Sequence, residues 1–170
     1  RHYGEAATVE DWVRCFEETS GRDLGQFSLW YRQAGTPVVE ARGAYDATAQ
    51  TYTLELTQSL APTPGQTEKK PMHIPVRMGL IGPTGRGLPL TLEGENRDGA
   101  DNRVLELTQA HHRFTFVNVP GELLLSLGRD FSAPAVFRIA LSRHVRAVLM
   151  GTDRDAFNRW RERASSRRPR

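Results

Sequence analysis

The sequence predicts a mainly β chain: an antiparallel β-sandwich carrying α-helices at both ends. Three observations predict it. Residues 1–35 place apolar side chains at helical spacing. From Thr36 to Leu141 the apolar period falls to two. After Leu141 it returns to helical. No helical pattern interrupts the middle stretch, which disfavours a parallel α/β sheet.

Thr8 reads as an N-cap with Asp11 three residues on, a carboxylate variant of the capping box. Val9, Trp12, Val13 and Phe16 then form one apolar helix face, and Gly21 is the expected stop because glycine enters the left-handed region freely. Asp23 is expected to cap a second helix with the stripe Leu24, Phe27, Trp30, Tyr31 and Ala34, read as core. Gly35 ends it and Pro37 prevents its continuation. Strand candidates follow at 36–44, 50–58, 71–81, 87–93, 104–109, 113–119, 122–127 and 134–141, with Tyr52, Leu54 and Leu56 the clearest alternation. Turn clusters separate them at 61–65, 82–85, 96–99 and 120–121. Seven or eight short strands at this spacing suit a sandwich of immunoglobulin or fibronectin type III style. Ser142 then caps a helix carrying Val145, Val148 and Leu149, with Gly151 as its stop. Thr152 and Asp155 read as a second capping pair, before the stripe Phe157, Trp160 and Ala164.

The chain has 170 residues, 38% of them apolar and 25% charged, which suits one domain with helical flanks. Its net charge of +3 is concentrated at the end. The last twelve residues hold six arginines and one glutamate, so the body is slightly acidic. No aromatic interleaving accompanies this basic end, and no nucleic-acid partner is expected. No run of 18 apolar residues, no apolar leader and no Asn-x-Ser/Thr acceptor is present, so no membrane partner and a cytoplasmic location are expected. Cys15 is the only cysteine and reads as a small residue at the edge of a helix face. The opening Arg1-His2-Tyr3-Gly4-Glu5 has no initiator Met and no cap, so the chain is expected to be a piece of a larger protein.

No catalytic, substrate-binding or metal residue is assigned from the motifs. His2, His73, His111, His112 and His144 lack the His-Glu-x-x-His spacing, and adjacent His111 and His112 would face opposite sides of a strand. No Gly-x-Ser-x-Gly elbow is present. Gly82, Gly85 and Gly87 lack the Gly-Lys-Ser/Thr of a phosphate loop and read as a hairpin. Glu93, Glu95, Asp98 and Asp101 fail the EF-hand spacing and read as solvated loop charge.

Longer runs carry a resemblance. Arg1–Thr8 with Glu10-Asp11-Trp12-Val13, then Trp30-Tyr31-Arg32-Gln33-Ala34-Gly35-Thr36-Pro37, resemble the end of the catalytic domain of the bacterial aminopeptidase N family, gluzincin zinc peptidases. Tyr52-Thr53-Leu54 with Gln58, Thr63-Pro64-Gly65-Gln66 and Glu68–Pro75 are similar to that family's third domain. So are Leu107-Thr108-Gln109, Phe131-Ser132-Ala133-Pro134 and Phe157-Asn158-Arg159-Trp160. The resemblance implies a cytosolic parent that removes N-terminal residues from peptides, using one zinc ion held by residues upstream of Arg1. It also implies three parts: 1–35, the helical end of the catalytic domain; 36–141, an Ig-like sandwich; and 142–170, the start of a C-terminal helical domain. The chain alone is then a non-catalytic structural fragment without a cofactor, and its partners are the remaining domains. The alternative is a stand-alone Ig-like protein-binding module.

Overall fold

Alternation along the strands sets the layout. A computed structural model describes residues 4, 6–82, 85–96, 99–121 and 123–166. The readings that fall on Arg1–Tyr3, Glu5, Pro83, Thr84, Arg97, Asp98, Glu122 and the final Arg167–Arg170 lie outside the described residues.

With ends displaced by up to a few residues, each of the eight strand candidates overlaps one of the strands. These are β1 (Val38–Asp46), β2 (Thr51–Ser59), β3 (Ile74–Ile81), β4 (Thr91–Leu92), β5 (Arg103–Leu107), β6 (His111–Val117), β7 (Leu124–Leu127) and β8 (Val136–Ile139). They form two sheets, in the orders β4-β6-β2-β1-β8 and β5-β3-β7. Tyr52, Leu54 and Leu56 of β2 point inward with Val39, Ala41 and Phe116. They meet Ile74, Val76, Met78 and Leu80 of β3 and Leu105, Leu107, Leu125 and Leu127 of its neighbours. Inward residues two apart on each strand are what a period of two requires. Burial pushes the Tyr52 phenol up to about 12.

Two strand details differ from expectation. The stretch 87–93 is strand only at Thr91–Leu92, because its first half bends into the loop that bridges Gly87 to Ile81. The edge strand β8 pairs parallel to β1, with Val38 opposite Val136, whereas the other pairs are antiparallel.

The first helix, α1 (Val9–Ser20), follows the reading closely. Thr8 and Asp11 make the reciprocal capping box, and Gly21 ends the helix at φ 66°. Cys15 is half-buried on it. The expected second helix is reduced to one turn, α2 (Leu29–Arg32), after a run of turns. Asp23 does not cap a helix: its Oδ1 accepts from Gly25 N at 2.7 Å in a local turn. Tyr31 is exposed, and Phe27 and Trp30 are half-buried, so this stripe lies at the rim of the core.

At the other end Ser142 caps α3 (Arg143–Thr152) through Val145 N. Gly151 lies inside this helix, which ends instead at Asp153 in an extended conformation. Thr152 and Asp155 do not pair. The Thr152 hydroxyl donates back to Val148 O, and Asp155 alone caps α4 (Ala156–Ser166) by accepting from Asn158 N at 2.7 Å. Among the described residues no helix is long and apolar enough to cross a membrane.

Candidate functional site at the two ends of the sandwich

The residues singled out for chemistry do not converge. His111 is exposed at the start of β6, and His112 is half-buried against Phe114, with ring centroids 4.3 Å apart. Glu95 is held by a two-pronged contact from Arg103, and Asp101 by Arg154 at 3.2 Å, so these loop carboxylates face arginines. Gly82 donates to no phosphate-like cradle: its N–H meets Arg86 O at 2.9 Å, closing a hairpin. Among the described residues no group of three His, Cys, Asp or Glu side chains could hold a metal ion.

Polar side chains do converge at the two places where the flanking helical segments join the sandwich. At the N-terminal junction, amide groups grip the extended backbone of residues 70–73, which leads into β3. Gln33 donates to Lys70 O at 2.9 Å and accepts from Lys70 N at 2.7 Å. Gln26 donates to Thr108 O at 2.6 Å and Pro71 O at 3.1 Å, while the Trp30 indole N–H donates to His73 O at 2.9 Å. From beneath, the buried Gln58 accepts from Met72 N at 2.7 Å and donates to Met72 O and Gln109 O, each at 2.9 Å. Gln66 and Lys69 close the rim. Gln66 binds Arg32 O and Ala34 N, and Lys69 donates to Ala34 O, Thr63 Oγ1 and Gln66 Oε1. A lone extended segment with no strand beside it would leave these backbone groups unpaired; the amides supply what a neighbouring strand would.

This explains why α2 is so short. Gln26, Trp30 and Gln33 reach residues 37 to 82 positions away, and those bonds fix the segment in turns. An exposed ion pair adds a further tie. Arg22 donates to Glu106 Oε1 at 2.8 Å, which holds the Glu106 carboxyl below the usual carboxylate range and raises the Arg22 guanidinium.

The C-terminal junction is built around one guanidinium. Arg129, 4% exposed, sits in a 3-10 turn (Arg129–Phe131) directly after β7. Its Nε donates to Ser126 Oγ at 2.8 Å and its Nη1 to Asn102 Oδ1 at 2.6 Å. Its Nη2 lies 3.6 Å from Asp153 Oδ1 in the link between α3 and α4. Ser126 is the hub. Its hydroxyl accepts from Arg129 Nε and from Asn158 Nδ2 at 3.0 Å, and donates to Asp153 Oδ2 at 2.5 Å. That uses the hydroxyl's one donor and both lone pairs. Ser126, Arg129, Asp153 and Asn158 are all buried. Asp155 adds an outer clasp by accepting from Asp130 N at 2.9 Å, and Arg161 donates to Leu127 O at 3.1 Å.

Sequence reasoning missed Arg129, Asp153 and Ser126. The available signal was Ser126 within Leu123-Leu124-Leu125-Ser126-Leu127: a polar residue in an otherwise apolar strand needs a buried partner.

Residues 35–140 match the family model described as "Domain of unknown function (DUF3458) Ig-like fold", which covers the eight-stranded sandwich. The chain belongs to the DUF3458 Ig-like family. Around this DUF3458 sandwich the similarity extends through both flanks. The chain is 38% identical over 160 residues to aminopeptidase N of Escherichia coli K12, covering 94% of this chain and 18% of that protein. It is 46% identical over 160 residues to aminopeptidase N of Caulobacter vibrioides, covering 94% of this chain and 17% of that protein. A crystal structure of Legionella pneumophila aminopeptidase A in complex with aspartic acid superposes with a TM-score of 0.76 at 25% identity. It covers 94% of this chain and 16% of that one. The DUF3458 chain therefore spans less than a fifth of the length of these relatives. Both junctions fall inside the shared region.

Proposed function

We propose that this chain is a non-catalytic structural segment of a zinc-dependent aminopeptidase that removes N-terminal residues from peptides in the cytoplasm. In this reading residues 1–35 are the end of the catalytic domain, 36–141 the DUF3458 sandwich and 142–170 the start of a C-terminal helical domain. The sandwich holds the two neighbours at a fixed spacing. The observation that carries the proposal is the pair of polar junctions, one at each end of a sandwich with a continuous buried apolar core. An isolated binding domain has no need of two such attachments, whereas a spacer between domains does.

Exposed aromatic surface on both flanks supports the same reading. Val9, Trp12 and Phe16 of α1 are each about half exposed, and Phe131 and Trp160 are about 60% exposed around Phe157. Such surface suits burial against further parts of a parent protein. In this reading the zinc ion, its ligands and the peptide-binding residues belong to the parent protein upstream of this segment.

Reading the frame on both sides of the segment tests the proposal. A His-Glu-x-x-His with a further Glu upstream of Arg1 is the expected result. A frame that opens near Arg1, together with saturable micromolar binding of a defined ligand by this chain alone, would overturn it in favour of a stand-alone binding module. The purified chain is expected not to hydrolyse an alanyl chromogenic substrate; chelator-sensitive turnover by it would equally sink the proposal.

A further inference from the structure

We propose that Arg129 is a lock that sets the orientation of the α3–α4 pair on the sandwich, and that it works only because position 79 is glycine. The lock belongs to this chain's own residues, so it stands or falls independently of any peptidase activity in a parent.

The helix pair has little apolar means of fixing itself. Among its described residues Leu149 is the one apolar side chain that is fully buried, whereas Asp153, Asn158 and Glu162 are all buried and polar. Non-directional apolar burial tolerates many angles; hydrogen bonds and ion pairs do not. The fully buried bonds between helices and sandwich converge on Arg129 and Ser126, through which Asp153 and Asn158 reach the sheet; the ties of Asp155 to Asp130 N and of Arg161 to Leu127 O lie further out. Asp153 can reach the sheet because α3 ends there in an extended conformation, and its Oδ1, the oxygen that faces Arg129, also accepts from Asp155 N at 3.0 Å.

Gly79 makes the space. It lies on β3 directly opposite Ser126 of β7. A Cβ at position 79 would sit 2.0 Å from Arg129 Nη1 and 2.3 Å from Cζ, so the guanidinium lies flat against the glycine backbone. Any side chain there pushes the guanidinium out of line with Ser126, Asn102 and Asp153 without touching a charged partner. An alanine at 79 is thus predicted to act through Arg129 alone. On a strand, alanine is otherwise at least as acceptable as glycine.

The test uses the intact chain and two readouts. Amide exchange followed by residue reports opening of α3–α4 separately from the sandwich. A pair of spin labels, placed at Ala110→Cys and His144→Cys in a Cys15→Ser background, reports the sandwich-to-helix distance. Arg129→Ala is expected to speed exchange in α3–α4 by roughly a hundredfold or more, since it strands a buried carboxylate. Protection in β2, β3 and β6 should persist, and the spin-label distance distribution should broaden. Asp153→Asn, outside the sandwich core, should give the same pattern more weakly. Gly79→Ala should reproduce Arg129→Ala in the native background, yet change exchange less than about threefold once Arg129→Ala is present. Unchanged exchange in α3–α4, or simultaneous loss of protection in helices and sandwich, overturns the lock. An equal effect of Gly79→Ala in both backgrounds overturns the role of the glycine.

Discussion

At the N-terminal end of the sandwich, three glutamine amides and an indole hold the backbone of residues 70–73, each through neutral bonds that begin and end on different residues. At the C-terminal end, one guanidinium and one hydroxyl collect most of the bonds, and a buried charge sits among them. The first arrangement is redundant: losing one amide leaves the others in place. The second is concentrated: one substitution removes the buried charge pair, and what remains between helix and sheet beyond Ser126 is outer ties, such as Asp155 with Asp130 N and Arg161 with Leu127 O. Neutral hydrogen bonds contribute about 0.5–1.5 kcal/mol each, whereas stranding a buried charge costs about 3–5 kcal/mol. The difference teaches where a spacer of this kind is stiff by accumulation and where it is stiff by a single device.

The comparison breaks most readily at Gln58, the one N-terminal amide that is itself buried. Gln58→Leu removes the acceptor for Met72 N and the donor for Met72 O and Gln109 O. A loss of about 2–3 kcal/mol is expected in urea unfolding, from backbone groups left unpaired in the core. A loss below about 0.5 kcal/mol would mean that this end is redundant even at its centre. Gln33→Ala tests the opposite extreme, at the exposed rim. It frees Lys70 N and O to bond water, so a loss of about 1 kcal/mol or less is expected. A cost equal to that of Gln58→Leu would erase the distinction between buried and rim amides and make the N-terminal end as concentrated as the other.

The same contrast explains what could be read in advance. The strands were legible because alternation is local: Tyr52, Leu54 and Leu56 announce β2 without reference to anything else. The Thr8–Asp11 box and the Ser142 cap were legible for the same reason, since both partners lie within one turn. The second N-terminal helix was not, because its fate is decided by Gln26, Trp30 and Gln33 bonding far across the chain. The end of α3 was misplaced at Gly151 because helix propensity favours stopping at glycine, while the actual stop at Asp153 is fixed by a serine 27 residues earlier. The parallel pairing of β8 is likewise a matter of which neighbour it meets. The resemblance motifs named Gln33, Gln58, Gln66 and Asn158, which all prove to be junction residues, but left out Arg129 and Asp153, whose partners are set only by the fold.

The weakest tie at the redundant end sharpens the comparison by its pH dependence. Arg22 and Glu106 are both largely exposed, and His73 Nε2 lies 3.5 Å from Glu106 Oε2. The hydrogen bond from Arg22 holds the Glu106 carboxyl below its ordinary value, so this group binds protons more weakly when folded than when unfolded. A depressed carboxylate contributes stability that is present above its unfolded pKa and is lost as pH falls through the folded one. Arg22→Ala should therefore reduce stability slightly at neutral pH and not at all once the pH has fallen well below the folded-state value of Glu106, with Glu106 returning to the usual carboxylate range in an NMR titration. Salt should shrink the neutral-pH difference, because solvent screens an exposed pair. An Arg22→Ala effect that persists undiminished in acid would show that the arginine acts by covering β5 and not by its charge. The N-terminal end would then owe its stiffness to packing as well as to amides.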